Sequence, residues 1–116
     1  MKTNVTIAIP VSGGRLCAHF GHCDTFVLLE ADRDRRVVLR RTDLQAPPHE
    51  PGVLPAWLQE QGADLIIAGG MGTRAQNLFA ARGIQVIVGA PADEPERLAE
   101  AWLAGNLEMG INTCDH

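Results

Sequence analysis

Hydrophobic and polar positions alternate along the first third of the chain, which is the pattern of half-buried strands. The segments NVTIAIPVS, TFVLLEAD and RVVLRRT are rich in β-branched residues and predict strands over 4–12, 25–32 and 36–42. The turn DRDR between the second and third strands is short. These two strands should therefore form an antiparallel hairpin.

The rest of the chain has the pattern of helices that alternate with short buried strands. Apolar residues at helical spacing predict three helices, in GVLPAWLQEQG, GTRAQNLFAARG and PADEPERLAEAWLAGN. In the second helix, Ala75, Leu78 and Phe79 are expected to face inward. The apolar runs ADLIIAGG and IQVIVGA predict two parallel strands between the helices. The predicted fold is therefore α/β, with a mixed five-stranded sheet in the chain order β-β-β-α-β-α-β-α.

Four connections are expected to meet at one edge of this sheet. The hairpin reverses the chain once and each helix returns it, so the first, third, fourth and fifth strands should run in one direction. The connections that follow these strands are GGRLCAHFGHC, APPHEPG, GGMGTR and GAPADEP. Because open α/β sheets bind ligands outside the carboxyl ends of their parallel strands, this edge is the predicted binding site.

Length and composition limit the classes of function. A chain of 116 residues, 46% of them hydrophobic, is expected to form one domain over 1–108 with a tail over 109–116. The net charge of −4 argues against a nucleic-acid binder that relies on bulk positive charge. No apolar run approaches the about 20 residues that cross a bilayer, and the N-terminus lacks the pattern of a secretory signal. A cytoplasmic protein without membrane or nucleic-acid partners is expected.

The chain has three cysteines, and an odd number excludes complete disulfide pairing within it. A cytoplasmic domain of this size needs no disulfide for stability. The thiols are therefore expected to be free, bound to metal or engaged in redox chemistry.

The segment CAHFGHCD contains Cys17, His19, His22 and Cys23. Thiolate and imidazole are the usual ligands of zinc, copper(I) and iron–sulfur species. The spacing C-x-H-x-x-H-C is too dense for one loop to place four ligands at tetrahedral corners. We therefore favour a subset that contacts a larger soft ligand, and the alternative is a surface loop with a half-buried cysteine and solvated histidines.

The segment AGGMGTRA has the order of a strand end, a glycine-rich turn and a helix start. Backbone N–H groups at a helix N-terminus bind anions, and Arg74 adds a guanidinium. Neither G-x-G-x-x-G nor a P-loop is present, so a nucleotide is not indicated. Met71 offers either a soft thioether ligand or an apolar side chain that covers the core.

Three further residues have a role only if they reach the same edge. His49 lies between prolines in PPHEP, and Cys114 and His116 end the chain. A solvated histidine and a frayed terminus are the simpler interpretations. The alternative is that the tail folds back to cover the site or to capture metal.

The segments HFGHCDTFVLLE, HEPGVLPAWLQEQGADLIIAGGMGTRAQNLFAARGIQVIVGA and CDH resemble the dinitrogenase iron–molybdenum cofactor biosynthesis family. Its members include NifX, NafY, the C-terminal part of NifB and the small orange protein. The resemblance covers nearly the whole chain. It implies a ribonuclease-H-like three-layer fold without nuclease activity, and a role in binding or carrying a metal–sulfur cluster, commonly one with molybdenum.

The orange protein is similar in size and architecture, and it is associated with an anionic molybdenum–copper sulfide held largely without covalent protein ligands. The resemblance therefore implies either such a molybdenum–copper sulfide or an iron–molybdenum cofactor precursor as the cargo. It implies cluster contacts at the family's motifs, with His19, Phe20 and Gly21 matching an H-F-G core. Two features depart from the pattern: His22 stands where arginine is common, and two cysteines flank the motif.

The expected contacts form two sets. Cluster binding is expected from Ser12, Arg15, His19, Phe20, Gly21, His49, Gly69, Gly70, Met71, Gly72, Thr73 and Arg74. The candidate metal ligands are Cys17, His19, His22, Cys23, His49, Met71, Cys114 and His116.

The leading hypothesis is a cluster-binding protein that is not an enzyme. The first alternative is a simple zinc- or copper-binding protein or metal chaperone with Cys and His ligands. The second is a thiol enzyme that pairs Cys17 or Cys23 with His19 or His22. The sequence leaves protein partners in cluster delivery, and the oligomeric state, open.

Overall fold

The computed structural model of the chain describes residues 4–17, 20, 23, 25–47 and 52–107. Within these residues it has six strands and three helices. They are β1 (Asn4–Ser12), β2 (Arg15–Leu16), β3 (Thr25–Asp32), β4 (Val37–Gln45), α1 (Val53–Glu60), β5 (Leu65–Ile67), α2 (Thr73–Ala80), β6 (Gln85–Ile87) and α3 (Pro95–Ala104). The strands predicted over 4–12 and 25–32 are confirmed with the same bounds.

The strands form one mixed sheet in the spatial order β4-β3-β1-β5-β6, and β2 pairs only with β1. β3 is antiparallel to both β1 and β4, whereas β5 is parallel to β1 and β6 is parallel to β5. β1, β4, β5 and β6 therefore run in one direction, as the sequence predicts. Their carboxyl ends lie on one side of the sheet, which we call the carboxyl edge.

The prediction of five strands is corrected by β2, which continues the chain from β1 through a two-residue turn. Gly13 and Gly14 have φ of +63° and +82°, and this turn places Ser12 opposite Arg15. Positive φ at both central residues matches the twist of a hairpin, and glycine adopts it without steric cost. A strand of two residues is too short to produce an alternating pattern, so the sequence does not reveal it.

The sheet is the middle layer of three. Alternation along β1 directs Ile7 and Ile9 to the face covered by α3, and Ala8 to the face covered by α1 and α2. The buried helix residues on these two faces are Leu98 and Ala99 of α3, Leu54 and Leu58 of α1, and Phe79 of α2. The apolar core therefore consists of two clusters, one on each side of the sheet.

One predicted core position is wrong. Leu78 of α2 leaves 38% of its surface exposed, whereas Phe79 beside it is fully buried. Successive helical residues point about 100° apart, and this short helix buries only the stripe that contains Phe79.

Within the described ranges, no helix has the length and apolar character needed to span a bilayer. The described part ends at Leu107. The boundary between a domain over 1–108 and a tail over 109–116 therefore stays a prediction.

Candidate functional site

The glycine turn, residues 69–72, leaves β5 at the carboxyl edge and leads into α2. The backbone N–H of Ala68 donates to the carbonyl oxygen of Ile87 at 2.8 Å, and that of Gly89 donates to Gly69 at 2.6 Å. These bonds extend the pairing of β5 and β6 beyond the strands. The start of the turn is therefore held against the loop that follows β6.

Phe20 joins the loop after β2 to this turn. Its backbone N–H donates to the carbonyl oxygen of Gly70 at 3.0 Å. Its buried ring meets Phe26 and Phe79 edge-on, with ring centroids 5.9 Å and 5.5 Å apart. Phe20 therefore anchors its loop in the core, and the two motifs predicted to share a site lie side by side.

Met71 packs in the core beneath the turn, with only 1% of its surface exposed. Of the two roles expected for Met71, the structure shows the apolar side chain that covers the core, because Met71 belongs to the apolar core cluster that contains Phe20 and Phe79. Its role as a soft ligand or a contact of a metal–sulfur cluster stays a prediction. The amide Nε2 of Gln76 donates to the carbonyl oxygen of Met71 at 2.8 Å. Gln76 thus fixes the backbone of the glycine turn. This residue was not identified from the sequence, because an amide side chain in the first turns of a helix is the only indication that the sequence offers.

The start of α2 is open. Gly72 occupies the N-cap position with φ −66° and ψ 154°, and it has no side chain with which to cap the helix. A Cβ added at Gly72 would meet no atom within 4 Å. The first turn of α2 has no acidic residue, and it exposes Thr73 and Arg74. The positive end of a helix dipole thus reaches the surface beside a guanidinium, which is an arrangement that favours anions.

Ser12 and Arg15 lie at the β1–β2 hairpin, beside the connection that leads into α3, so two of the connections predicted to meet at this edge do so. The contact of Arg15 with a cluster stays a prediction. A surface cavity of about 300 Å³ is lined by Gly13, Gly14, Arg15, Arg41, Glu94, Pro95 and Glu96. Arg15 therefore shares a cavity with the acidic start of α3. Arg74, the other arginine predicted to contact a cluster, lies in the first turn of α2 directly after the glycine turn.

Arg41 of β4 connects the sheet to α3. Its guanidinium donates two hydrogen bonds to the carboxylate of Asp43, at 2.7 and 3.0 Å, and it also pairs with Glu96. The hydrogen bond with Asp43 is the main cause that raises the pKa of Arg41 above its usual range. The same bond lowers the pKa of the Asp43 carboxyl below its ordinary value of 3.8. Arg41 thus offsets part of the negative charge beside the cavity and links β4 to the start of α3.

Cys17 and Cys23 form a disulfide whose Cα atoms are 6.0 Å apart. The sequence predicts that the cysteines are free, bound to metal or engaged in redox chemistry, and the structure shows these two as a disulfide rather than as free thiols. Neither sulfur of a disulfide is a thiolate, so the predicted role of these residues as metal ligands belongs to the reduced protein.

Six predicted site residues lie outside the described residues: His19, Gly21, His22, His49, Cys114 and His116. In the part of the chain that is described, no group of three or more His, Cys, Asp or Glu side chains is placed to hold a metal ion. The residues that the structure does bring together are Phe20, Gly69, Gly70, Met71, Gly72, Thr73 and Arg74.

Comparison with known proteins identifies the group to which this arrangement belongs. Residues 3–105 match the family described as dinitrogenase iron–molybdenum cofactor. The chain belongs to this family. The class of ligand to consider at the carboxyl edge is therefore a metal–sulfur cluster.

Relatives of this iron–molybdenum cofactor family member have a similar length, and solved structures share its fold. The uncharacterised protein MJ0580 of Methanocaldococcus jannaschii is 28% identical over 106 residues, which are 88% of each chain. The crystal structure of PH0822 has a TM-score of 0.84 at 25% identity and covers 93% of this chain and 96% of its own. The apo form of the orange protein from Desulfovibrio gigas has a TM-score of 0.65 at 21% identity and covers 92% and 93%. This last likeness shows the fold alone.

Proposed function

We propose that this protein binds and carries an anionic metal–sulfur cluster at the carboxyl edge, between the glycine turn and the start of α2. The observation that carries the proposal is the open N-terminus of α2 at Gly72, next to the turn that Phe20 anchors. Membership of the iron–molybdenum cofactor family supports the choice of ligand.

The chemistry of the site suits a large, polarizable anion. The first-turn N–H groups of α2 and the guanidinium of Arg74 stabilise negative charge. Gly72 lets a bulky ligand approach the backbone, because no side chain stands there. By their sequence positions, His19, His22 and His49 are proposed to add imidazole donors. Such a cradle holds a cluster without supplying four ligands in fixed geometry.

The proposed cargo is a molybdenum–copper sulfide or an iron–molybdenum cofactor precursor, as the family resemblance implies. The protein then acts as a carrier rather than a catalyst, and its partners are proteins that supply or receive the cluster. The proposal includes a cytoplasmic location, a ribonuclease-H-like classification of the three layers, and a tail over 109–116 that adds Cys114 and His116.

The test compares two isosteric variants at the open helix start, Gly72→Asn and Gly72→Asp. Both side chains cap a helix from this backbone conformation, so both variants are expected to fold at least as stably as wild type. Only the aspartate adds negative charge where the cluster is proposed to lie. We expect both variants to bind more weakly than wild type, because a side chain then stands where the ligand approaches and caps a first-turn N–H. The added charge should make the aspartate variant about tenfold weaker than the asparagine variant, which is about 1.4 kcal/mol.

The measurement is anaerobic reconstitution with tetrathiomolybdate and copper, followed by gel filtration and determination of molybdenum per chain. Equal retention by wild type and both variants would place the cluster elsewhere. Absence of stoichiometric molybdenum and of a visible absorption band in wild type would refute the molybdenum–copper form of the proposal.

A second candidate is a simple zinc or copper carrier. It is favoured by the short distance of 6.0 Å between the Cα atoms of Cys17 and Cys23. When the disulfide is reduced, this distance leaves two soft thiolates close to each other. Elemental analysis separates the two candidates, because zinc or copper without molybdenum and sulfide supports only the second.

A further inference from the structure

The disulfide closes a ring at the carboxyl edge. Cys17 directly follows β2 and Cys23 lies two residues before β3, so the sulfurs join the ends of the loop between these strands. The Cα separation of 6.0 Å lies in the range that a disulfide spans without movement of the backbone. The dithiol and the disulfide therefore fit the same strand positions.

The two cysteine residues differ in exposure. Cys17 is partly exposed, whereas only 1% of the surface of Cys23 is exposed. A small thiolate therefore attacks Sγ of Cys17, the bond to Sγ of Cys23 breaks, and Cys23 leaves as a thiolate. A second small thiol attacks the mixed disulfide, which releases the thiolate of Cys17 and a small-molecule disulfide. Two small thiols supply the two electrons.

The ring is bonded to β1 at one point and to the proposed cluster site at another. The backbone N–H of Cys17 donates to the carbonyl oxygen of Pro10 at 2.9 Å, near the end of β1. The backbone N–H of Phe20, within the ring, donates to Gly70 of the glycine turn at 3.0 Å. The disulfide thus forms or is reduced directly beside the glycine turn.

We infer that Cys17 and Cys23 are a reversible redox pair that sets how tightly the carboxyl edge holds its metal–sulfur cargo; this rests on the proposed function. The reduced pair adds two soft thiolates, whereas the disulfide adds none. The reduced protein therefore binds a cluster more tightly. By linkage, a bound cluster makes the disulfide harder to form. Each tenfold preference of the cluster for the reduced over the oxidised protein raises the two-electron midpoint potential of the cysteine pair by about 30 mV.

The first arm of the test uses protein without cargo. Wild type is equilibrated anaerobically in mixtures of glutathione and glutathione disulfide, quenched with acid, and its thiols are counted in denaturant. We expect one transition in which two thiols appear together. Cys114→Ser, the matched control, should retain this transition, whereas Cys17→Ser and Cys23→Ser should lack it. A pair that stays fully oxidised or fully reduced across the series overturns the inference.

The second arm measures cluster retention. Oxidised and reduced wild type are each incubated with tetrathiomolybdate and copper, and thiols are counted again afterwards to confirm the redox state. We expect the reduced form to retain at least threefold more molybdenum at limiting cluster. The double variant Cys17→Ser/Cys23→Ser should match the oxidised form, with a circular dichroism spectrum that confirms its fold.

The outcomes separate the two proposals. Equal retention by the oxidised and reduced forms overturns the redox inference and leaves the proposed function standing. If neither the oxidised nor the reduced form retains molybdenum, both the proposed function and the redox inference are overturned.

Discussion

The backbone N–H of Phe20 donates to the carbonyl oxygen of Gly70 across 3.0 Å, and this bond joins the loop after β2 to the glycine turn after β5. The ring of Phe20 packs between Phe26 and Phe79. Phe20 thus supports the proposed site from below, and the backbone of the turn forms its surface.

Truncation of Phe20 should therefore destabilise the whole domain. Phe20→Ala removes a buried ring that contacts two others, and we expect the free energy of unfolding to fall by about 3 kcal/mol. Phe20→Leu keeps most of the apolar volume and should cost about 1 kcal/mol. Urea unfolding monitored by circular dichroism measures both. A loss below about 1 kcal/mol for the alanine variant would contradict the packing described.

Neighbouring residues of α2 provide a sharper test of the core. Phe79 is fully buried and Leu78 is 38% exposed, although both are apolar. We expect Phe79→Ala to cost about 3–5 kcal/mol, and Leu78→Ala to cost about 1 kcal/mol or less. Comparable losses from the two variants in urea unfolding would show that α2 packs on a different stripe.

The hairpin glycines should differ from the glycine of the helix start. Gly14 has φ +82°, so Gly14→Ala should cost about 1–2 kcal/mol. Gly72 has φ −66° and open space around its Cβ position. Gly72→Ala should therefore leave the thermal midpoint unchanged within a few degrees. If Gly14→Ala is equally harmless, the turn does not have the described conformation.

The ion pair of Arg41 and Asp43 should make stability depend on pH. Since Arg41 lowers the pKa of Asp43 below 3.8, this contribution is complete above the ordinary pKa and is lost as the pH falls through the lowered value. All three partners are well exposed, so its size should be only about 0.5–1 kcal/mol.

The pH prediction is checked by urea unfolding at pH 7 and at pH 3. The difference in stability between wild type and Arg41→Ala should be present at pH 7 and smaller at pH 3. Arg82→Ala is the matched control, because the guanidinium of Arg82 donates to the neutral side-chain oxygen of Gln59 at 2.8 Å, and its effect on stability should not change between the two pH values. A difference for Arg41→Ala that stays constant between the two pH values would refute the electrostatic explanation.

Much of the fold could be predicted from the alternation of hydrophobic and polar residues and from the reversals of chain direction. Most residues of β1 and β3 are buried, and the exposed or half-buried ones lie at strand ends or alternate with buried ones. The bounds of both strands therefore follow from the pattern of side chains. The strand directions follow from one hairpin and from the two helices, α1 and α2, that return the chain to a parallel strand. The glycine turn follows from a strand end that meets a helix start. These features depend on local sequence, which is why they could be predicted.

The remaining features depend on distances between remote residues. The burial of Met71 follows from where Phe20 and Phe79 lie, and the surroundings of Arg15 follow from where α3 begins. The pairing of Cys17 with Cys23 requires their Cα separation, which spacing along the chain does not provide. Sequence reasoning therefore found the motifs of the site but left open which side chains surround each of them.

The central claim is tested most directly by the metal and sulfide content of the protein isolated anaerobically from its native host. If the protein carries an anionic metal–sulfur cluster, molybdenum and acid-labile sulfide should copurify with it in fixed proportion to chain. Zinc or copper in fixed proportion to chain, without molybdenum or sulfide, would contradict the account.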